Sequence, residues 1–159
     1  MTSTADLLDE HGDAASVCLI QFHSYGAPAF AGPIATVRCA EDNVLVRQCA
    51  TDPGNGRVLV IDGGGSLRCA LVGDNIASLA RDNGWVGLVI NGCVRDTAAL
   101  DELGLGVKAL GSNPRPSRKQ GGGELEVPVT FGEIVFTPGA LLHADADGVV
   151  VLPVLGSRG

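Results

Sequence analysis

The stretch "RVLVIDGGGSLRCALVGDNIASLARDNGWVGLVINGCVRD" (residues 57–96) decides the fold of this chain. It holds two aliphatic runs, at 58–61 and 86–90, and each run leads into a segment with helix-forming character. Strands that are aliphatic at every position are typical of parallel sheets, because such sheets are covered on both faces. Two consecutive strand–helix pairs therefore predict a parallel βαβ portion within an α/β fold.

The helices of this stretch are predicted from apolar spacing and from the residues that end them. In residues 70–85 the apolar positions recur at helical spacing, and Asn83-Gly84 ends the predicted helix. The aliphatic run that follows predicts a strand over 85–90. A second, shorter helix is predicted over residues 96–103.

The chain on the N-terminal side of the stretch is predicted to begin with a helix. Residues 3–12 offer Ser3 or Thr4 as the N-cap and Gly12 as the residue that ends this helix. Farther along, the pattern predicts a short strand or an apolar helical turn at 16–22, a loop at 24–34, a strand at 34–40 and a helix from near Asp42 to Pro53-Gly54.

The C-terminal half has a different character. From about residue 107 the sequence consists of short apolar runs separated by Gly, Pro and Asp turns, which predicts a β-rich half. No linker is long enough to separate two domains, so one domain with layered, mixed sheets is expected over residues 1–159.

The charge and hydropathy of the chain limit which partners it can bind and where it can be located. The chain has 11 Lys and Arg against 18 Asp and Glu, a net charge of -7, which argues against direct binding of nucleic acid. The one locally basic segment, NPRPSRKQGGG (113–123), is interpreted either as a solvated loop or as an edge that contacts a neighbouring subunit or a partner. No apolar run reaches the ~20 residues that cross a bilayer, and the N-terminus lacks the apolar core of a signal peptide. We expect a soluble cytoplasmic protein.

The cysteines and histidines do not form a recognisable metal motif. The five cysteines show no CxxC pair, and the three histidines are scattered, so reduced buried thiols are predicted and a structural zinc site is not. Cys93 is expected to pack in the core, and His143 is expected to be a strand residue.

The glycine-rich turn in VLVIDGGGS raises the question of a nucleotide loop. It matches neither G-x-G-x-x-G nor the P-loop pattern, so nucleotide binding is disfavoured. The glycines equally allow close passage of the backbone past a substrate or another chain.

A helix start follows at Gly73-Asp74. The free first-turn amides of Asn75 and Ile76 would point out of this helix end, and such an end binds a carboxylate or a phosphate. Asp74 itself is interpreted either as an ordinary helix cap or as part of a site.

Adjacent opposite charges follow the next strand at Arg95-Asp96. The guanidinium of Arg95 is a planar fork for a carboxylate, and the carboxylate of Asp96 is a hard oxygen ligand for Mg²⁺ or Mn²⁺. Residues just past the carboxyl ends of parallel strands line the ligand crevice, so Asp74 and this pair could meet there. A surface salt bridge or a second helix cap would explain the pair equally well.

The whole chain resembles the family of regulator of ribonuclease activity A (RraA). The resemblance is carried by FAGPIATVRCAEDN (30–43), GRVLVIDGGGSLRCALVGDNIASLA (56–80), NGWVGLVINGCVRD (83–96) and VPVTFGEIVFTPGALLHADADGVVV (127–151). That family includes the class II 4-hydroxy-4-methyl-2-oxoglutarate aldolases, and an older name for such proteins is demethylmenaquinone methyltransferase. The resemblance implies a single layered α/β/β sandwich and a homotrimer with sites near the subunit interfaces.

The resemblance also implies roles for the pattern D-x20-R-D that begins at Asp74. By that pattern Asp96 holds a divalent metal, Mg²⁺ or Mn²⁺, and Asp74 reaches it through water. Arg95 binds substrate oxygen, while the helix start formed by Gly73, Asn75 and Ile76 binds the pyruvyl carboxylate. Family aldolases also use an acidic residue from a neighbouring subunit, and no position of this sequence is matched to it.

The chemistry of the residues agrees with this implication. Cleavage of a 2-oxo acid leaves a pyruvate enolate, which either a lysine Schiff base or a metal can stabilise. The only lysines, Lys108 and Lys119, lie in the β-rich half with no obvious apolar pocket, so metal assistance is favoured. We therefore expect an aldolase that cleaves 4-hydroxy-4-methyl-2-oxoglutarate and decarboxylates oxaloacetate. The alternative is a protein that inhibits an endoribonuclease of the RNase E type by direct contact.

Overall fold

The structure of the chain, a computed structural model, describes residues 1–154. The predicted domain extends to residue 159, so its last five positions lie outside the described residues. The helices are α1 (Thr4–His11), α2 (Val44–Thr51), α3 (Asp74–Asp82) and α4 (Thr97–Glu102), with a 3₁₀ turn at Gly12–Ala14. The strands are β1 (Ser16–Val17), β2 (His23–Tyr25), β3 (Phe30–Arg38), β4 (Val58–Asp62), β5 (Ala70–Val72), β6 (Gly87–Val94), β7 (Gly106–Ser112), β8 (Glu124–Leu125), β9 (Val129–Phe131), β10 (Ile134–Phe136), β11 (Leu141–Ala144) and β12 (Val149–Leu152).

The centre of the fold is a parallel sheet in the order β3–β4–β6–β7. Short β5 pairs in parallel with the last residues of β6. Antiparallel strands extend this sheet on both sides, with β2 beside β7 and with β11, β12 and β1 beyond the first half of β3. The predicted α/β class with a parallel βαβ portion is confirmed.

The two faces of the parallel sheet are covered by different layers. Leu59 and Ile61 of β4 pack on the helical side, whereas Val58 and Val60 pack on a second β layer that contains the β9–β10 hairpin. All four side chains are fully buried, which explains why the strand is aliphatic at successive positions. The layers run helix, sheet, sheet, so the expected α/β/β arrangement with a β-rich C-terminal half is confirmed.

Several helix predictions agree with the structure. Ser3 caps α1 by accepting a hydrogen bond from the amide of Asp6, and Gly12 ends that helix. The helix predicted from near Asp42 begins at Val44, whose amide donates to the Asp42 carboxylate. The short helix predicted after Asp96 is α4.

The loop predicted over residues 24–34 is wrong, because β2 and the first half of β3 occupy most of it. The reason lies in distant contacts. The Phe30 ring lies directly over Gly87 of β6 and Gly106 of β7, where any Cβ would collide with it. A segment rich in Gly, Ala and Pro thus forms a strand because it packs on β6 and β7, a contact that the local sequence does not reveal.

Two boundaries also differ from prediction. The segment predicted as one helix over 70–85 begins with strand β5, because Ala70–Val72 pair with the extension of β6 beyond Ile90. Of the segment 16–22, the part Ser16–Val17 forms a strand. Among residues 1–154, no helix combines the length and the apolar character that crossing a membrane requires.

Candidate functional site

A small cleft of about 140 Å³ opens where β5 and β6 end and α3 and α4 begin. Its wall includes Gly73 and Asp74 after β5, and Arg95 and Asp96 after β6. The predicted convergence of these positions is therefore observed. The strand that delivers Asp74 is β5, which pairs with β6, and not the strand that ends near Ile61 as the sequence suggested.

Gly73 makes room for the charged pair. An added Cβ at this position would lie 2.6 Å from Asp96 Oδ2 and 3.3 Å from Arg95 Cγ. Asp96 Oδ2 instead approaches closely enough to accept a hydrogen bond of 3.1 Å from the Asp74 amide. The side chain that caps α3 therefore comes from Asp96, twenty-two residues away.

The hydrogen bond between the Asp74 amide and Asp96 Oδ2 decides between the interpretations that the sequence left open for Asp96. These were a cap of its own helix, a surface salt bridge with Arg95, and part of a site. The Asp96 side chain makes no cap hydrogen bond to its own helix α4, and Gly73 at the start of α3 has no side chain with which to cap that helix. Within the described residues, Arg95 forms no ion pair with any carboxylate, and its Nη1 donates to the Pro114 carbonyl at 3.4 Å. A simple surface salt bridge between Arg95 and Asp96 is thus excluded.

The backbone of Asp96 is held in the left-handed region, at φ 58° and ψ 42°. Asp tolerates this region better than most residues, yet the conformation costs on the order of 1 kcal/mol. It occurs at the turn from β6 into α4, with the Asp96 carboxylate bonded to the start of α3. Such strain is typical of residues whose placement serves a site.

The start of α3 provides donors for an anion. The Asp74 amide is taken by Asp96, but Asn75 and Ile76 lie in the first turn, where no carbonyl one turn back within the helix can accept from them. Both residues line the cleft, with Ile76 buried and Asn75 exposed. The predicted carboxylate-binding helix end is geometrically present.

Two further cations line the same cleft, and the sequence analysis did not assign them to it. Lys119 Nζ donates to Asn43 Oδ1 at 2.8 Å, and Asn43 Nδ2 donates to the Leu71 carbonyl at 3.1 Å. Arg47 of α2 completes this side of the wall. The only sequence signal for Lys119 was the basic composition of its segment.

That basic segment, 113–123, is anchored through its backbone. The Arg115 carbonyl accepts from the Ala70 amide at 2.8 Å, and the Arg118 amide donates to the Glu41 carbonyl at 2.8 Å. The Asp42 carboxylate accepts from two further amides of the segment. The segment is therefore a fixed wall beside β5 with exposed basic side chains, and its contact with a neighbouring subunit stays a prediction.

The glycine turn after β4 does not offer free amides for a phosphate. The Gly63 and Gly65 amides donate to the Asn91 carbonyl at 3.0 and 3.2 Å, and the Gly64 amide donates to Asp62 Oδ1 at 2.9 Å. Asn91 Nδ2 also bonds the buried Asp62 carboxylate, at 3.0 Å. These contacts give the turn a structural role, in agreement with the absence of a nucleotide fingerprint.

The donor set of the cleft fits a hard divalent cation. Asp74 and Asp96 supply two carboxylates to the cleft. Clusters of three or more His, Cys, Asp or Glu side chains placed to bind a metal are absent from residues 1–154. Mg²⁺ is typically held by one or two carboxylates, with water and substrate oxygens in its other positions. The space left by Gly73 lets the Asp96 carboxylate reach the cleft, as such binding requires.

The remaining nucleophiles are unsuited to the cleft chemistry. Cys93 is 2% exposed and burial raises the pKa of its thiol, which confirms a packing role. All five cysteines are free, as predicted. His143 lies in β11, as expected, and burial lowers its pKa. Lys108 is buried on β7, donates to Ser24 Oγ, and is not part of the cleft wall.

Comparison with known proteins places these features in a family. Residues 3–151 match the sequence model of the RraA-like family, described as Aldolase/RraA. The structure is similar to a protein from Geobacillus kaustophilus named S-adenosylmethionine: 2-dimethylmenaquinone methyltransferase, with a TM-score of 0.93, 46% identity and coverage of 99% of this chain and 100% of that one. It is also similar to the "RNA-processing inhibitor RraA from Thermus thermophilis", with a TM-score of 0.93, 42% identity and coverage of 97% and 94%. An unusual member of the RNase ES inhibitor RraA protein family from Streptomyces coelicolor matches with a TM-score of 0.77, 26% identity and coverage of 97% and 82%.

Proposed function

The chain belongs to the RraA-like family, and from this premise we propose that it is a divalent-metal-dependent carbon–carbon lyase. Its substrates would be small 2-oxo dicarboxylic acids: it would cleave 4-hydroxy-4-methyl-2-oxoglutarate to pyruvate and decarboxylate oxaloacetate. The observation that carries the proposal is the contact of Asp96 Oδ2 with the Asp74 amide, over a glycine that leaves room for it. This contact brings the carboxylates of Asp74 and Asp96, the guanidinium of Arg95 and the start of α3 together in one cleft.

The carboxylates account for the metal. Asp96 would hold Mg²⁺ or Mn²⁺ directly and Asp74 would hold it through water, in keeping with the preference of these ions for oxygen ligands. When bound, the cation supplies Lewis-acid polarisation of the 2-oxo group. An acidic residue from a neighbouring subunit of a homotrimer would complete the site.

The helix start and Arg95 would position the pyruvyl end of the substrate. The Asn75 and Ile76 amides would donate hydrogen bonds to the C1 carboxylate, since a helix N-terminus carries partial positive charge. The Arg95 guanidinium would stabilise the negative charge that develops on the 2-oxo oxygen as the enolate forms. Its anchoring to the Pro114 carbonyl reduces the reorganisation required during reaction.

Both reactions break the bond between C3 and C4 of the substrate. In oxaloacetate the electron pair of that bond moves into the enolate, carbon dioxide leaves, and a solvent proton adds to C3 to give pyruvate. In the aldol substrate the C4 hydroxyl loses its proton, the second carbonyl forms, and the same enolate results. Asp74, half-buried in the cleft wall, would orient the water that accepts the hydroxyl proton.

The second cationic side of the cleft matches the second carboxylate of such substrates. Lys119 is held by Asn43 at 2.8 Å and lies in the same wall as Arg47. A dicarboxylate bound with its C1 carboxylate at α3 would direct its distal carboxylate toward these cations. This would favour dicarboxylic 2-oxo acids over pyruvate-sized monoacids.

Oxaloacetate decarboxylation tests the lyase proposal directly. We expect pyruvate formation with Mg²⁺ or Mn²⁺ that is abolished by EDTA and by Arg95→Ala or Asp96→Ala. Arg81→Ala and Asp82→Asn serve as controls, because they alter an exposed ion pair on α3 outside the cleft. The proposal fails if pyruvate does not form, or if its formation survives both EDTA and Arg95→Ala.

The second candidate function is inhibition of an endoribonuclease by protein contact. It is favoured by the similarity to a protein named as an RNA-processing inhibitor, at 42% identity over nearly the whole chain. RNA cleavage by a purified RNase E-type enzyme would be measured with wild-type protein and with Asp96→Ala. Inhibition that persists in the variant supports a function independent of the metal site, whereas no inhibition at stoichiometric protein rejects this candidate.

A further inference from the structure

A second concave surface lies next to the cleft and carries a concentration of positive charge. This arginine groove, of about 740 Å³, is lined by Glu41, Arg68, Cys69, Arg115, Pro116, Ser117 and Arg118. It shares Pro116 and Ser117 with the wall of the cleft, but none of the proposed catalytic residues. Three arginines in one groove are notable in a chain with a net charge of -7.

The three guanidinium groups form no ion pair with a carboxylate in the part of the chain that the structure describes. The ion pairs there join His11 to Glu10, Arg38 to Glu124 and Arg81 to Asp82. The one acidic residue of the groove, Glu41, accepts a hydrogen bond from Ser66 Oγ at 3.2 Å. Like charges left together raise the free energy of the groove, which an anionic partner would lower.

The backbone under the three arginines is fixed. The Arg68 amide donates to Ser66 Oγ at 3.1 Å, and the Arg115 amide donates to Asn113 Oδ1 at 2.9 Å. The Arg118 amide and carbonyl are bonded to Glu41 and Asn43. A ligand would therefore meet arginines whose backbone is already ordered, so only their side chains lose freedom on binding.

Apolar contacts distinguish among the anions that could occupy the groove. Leu67, next to Arg68 along the chain, is 62% exposed, and its carbonyl is held by Asn113 Nδ2 at 2.7 Å. Leu67 flanks the groove without belonging to its lining, whereas Pro116 provides an apolar surface within the lining itself. A free oxyanion would gain nothing from the apolar surfaces of Leu67 and Pro116. Single-stranded RNA would need aromatic side chains on which its bases could stack, and the groove lining has none.

We propose that the arginine groove binds an acidic peptide segment of a partner protein, with carboxylates on the guanidinium forks and an apolar side chain against Leu67 and Pro116. Arginine forks match carboxylates in a bidentate geometry, which suits recognition of Asp- and Glu-rich segments. The groove size lies within the range of ligand sites that hold several functional groups, about 300–1,000 Å³. The inference does not rest on the lyase proposal, and its failure would leave that proposal untouched.

The test uses a fluorescein-labelled peptide of alternating Glu and Leu and measures its anisotropy with the full-length protein. The triple variant Arg68→Gln/Arg115→Gln/Arg118→Gln should weaken binding by about tenfold, as expected for three exposed ion pairs. Arg81→Gln is the control for loss of an arginine elsewhere. Because the three side chains donate no hydrogen bond within residues 1–154, the triple variant should keep its melting temperature.

Competition experiments separate the peptide from other occupants. Leu67→Ser should weaken binding of the Glu-Leu peptide but not binding of inorganic phosphate. The proposal is overturned if the triple variant binds the peptide as well as wild type, or if phosphate or oligouridylate displaces the peptide at lower concentration than unlabelled peptide does. It is also overturned if the triple variant changes oligomeric state by light scattering, since the arginines would then contact a second copy of the chain.

Discussion

Replacing Gly73 with alanine tests the proposed site through a single added methyl group. The new Cβ would lie 2.6 Å from Asp96 Oδ2, closer than real Cβ contacts, so the carboxylate must move away from the Asp74 amide. Gly73 has φ -122°, a conformation that alanine adopts without strain. The substitution therefore displaces the charged pair and leaves the local backbone conformation accessible.

The effects on stability and on catalysis should differ greatly in size. Loss of the cap bond to α3 costs about 0.5–2 kcal/mol, and the lower entropy of the unfolded chain returns about 0.4–1 kcal/mol. We therefore expect the net change in the free energy of unfolding to lie between a gain of about 0.5 kcal/mol and a loss of about 1.6 kcal/mol. Displacement of a catalytic group by about 1 Å can cost about 100-fold in rate, and we expect a loss of that order in kcat/KM for oxaloacetate.

The assays are thermal denaturation, pyruvate formation from oxaloacetate, and calorimetric titration with Mg²⁺. Gly111→Ala is the matched control, because a Cβ at Gly111 of β7 meets no atom within 4 Å and needs no unusual backbone conformation. The reasoning is refuted if Gly73→Ala keeps wild-type kcat/KM and Mg²⁺ binding. It is equally refuted if the two variants lose activity to the same extent.

Three further predictions address the cleft, the core and the N-terminal helix. Lys119→Ala should raise KM for oxaloacetate by about tenfold with a smaller change in kcat, because the distal carboxylate loses an exposed charged partner; steady-state kinetics measure this. Leu59→Ala should lower the free energy of unfolding by about 2–5 kcal/mol in a urea titration, since this side chain is fully buried between sheet and helices. Burial raises the pKa of Asp145, but the hydrogen bonds from the Thr4 amide and hydroxyl, together with those from the backbone of Asp147 and Gly148, outweigh it and hold that pKa below the ordinary value of 3.8. The resulting stabilisation is present above that value and lost as pH falls through the lower folded pKa, so acid unfolding curves of Thr4→Ala should show a smaller loss of stability as the pH falls below about 4.

Each of these predictions has a control or an outcome that contradicts it. Arg118→Ala removes a nearby cation outside the cleft wall, so an equal rise in KM would contradict a specific role for Lys119. Leu19→Ala, at a position 57% exposed, should change stability by about 0.5 kcal/mol or less, and a loss equal to that of Leu59→Ala would refute the burial argument. Identical acid unfolding of wild type and Thr4→Ala would refute the role of the Asp145 contact.

The parallel core of the fold was predictable because its signal is local. Continuous aliphatic runs at 58–61 and 86–90 require cover on both faces, and the residues that follow them form α3 and α4 as expected. Strand β3 was only partly predicted, because its first half depends on Phe30 packing over glycines of β6 and β7. Strand β5 was missed for a similar reason, since its pairing partner is the extension of β6.

The sequence by itself determined the α/β class and the family resemblance, and it indicated that Asp74, Arg95 and Asp96 could meet in one crevice, because the carboxyl ends of parallel strands meet at one edge. Only the tertiary structure decided how these residues are arranged. It showed that Asp96 caps α3 across the space left by Gly73, and that Lys119 lies in the same cleft wall. Both facts depend on contacts between segments more than twenty residues apart, and the side-chain volume and hydrogen-bond geometry that select such contacts exist only once the layers have packed.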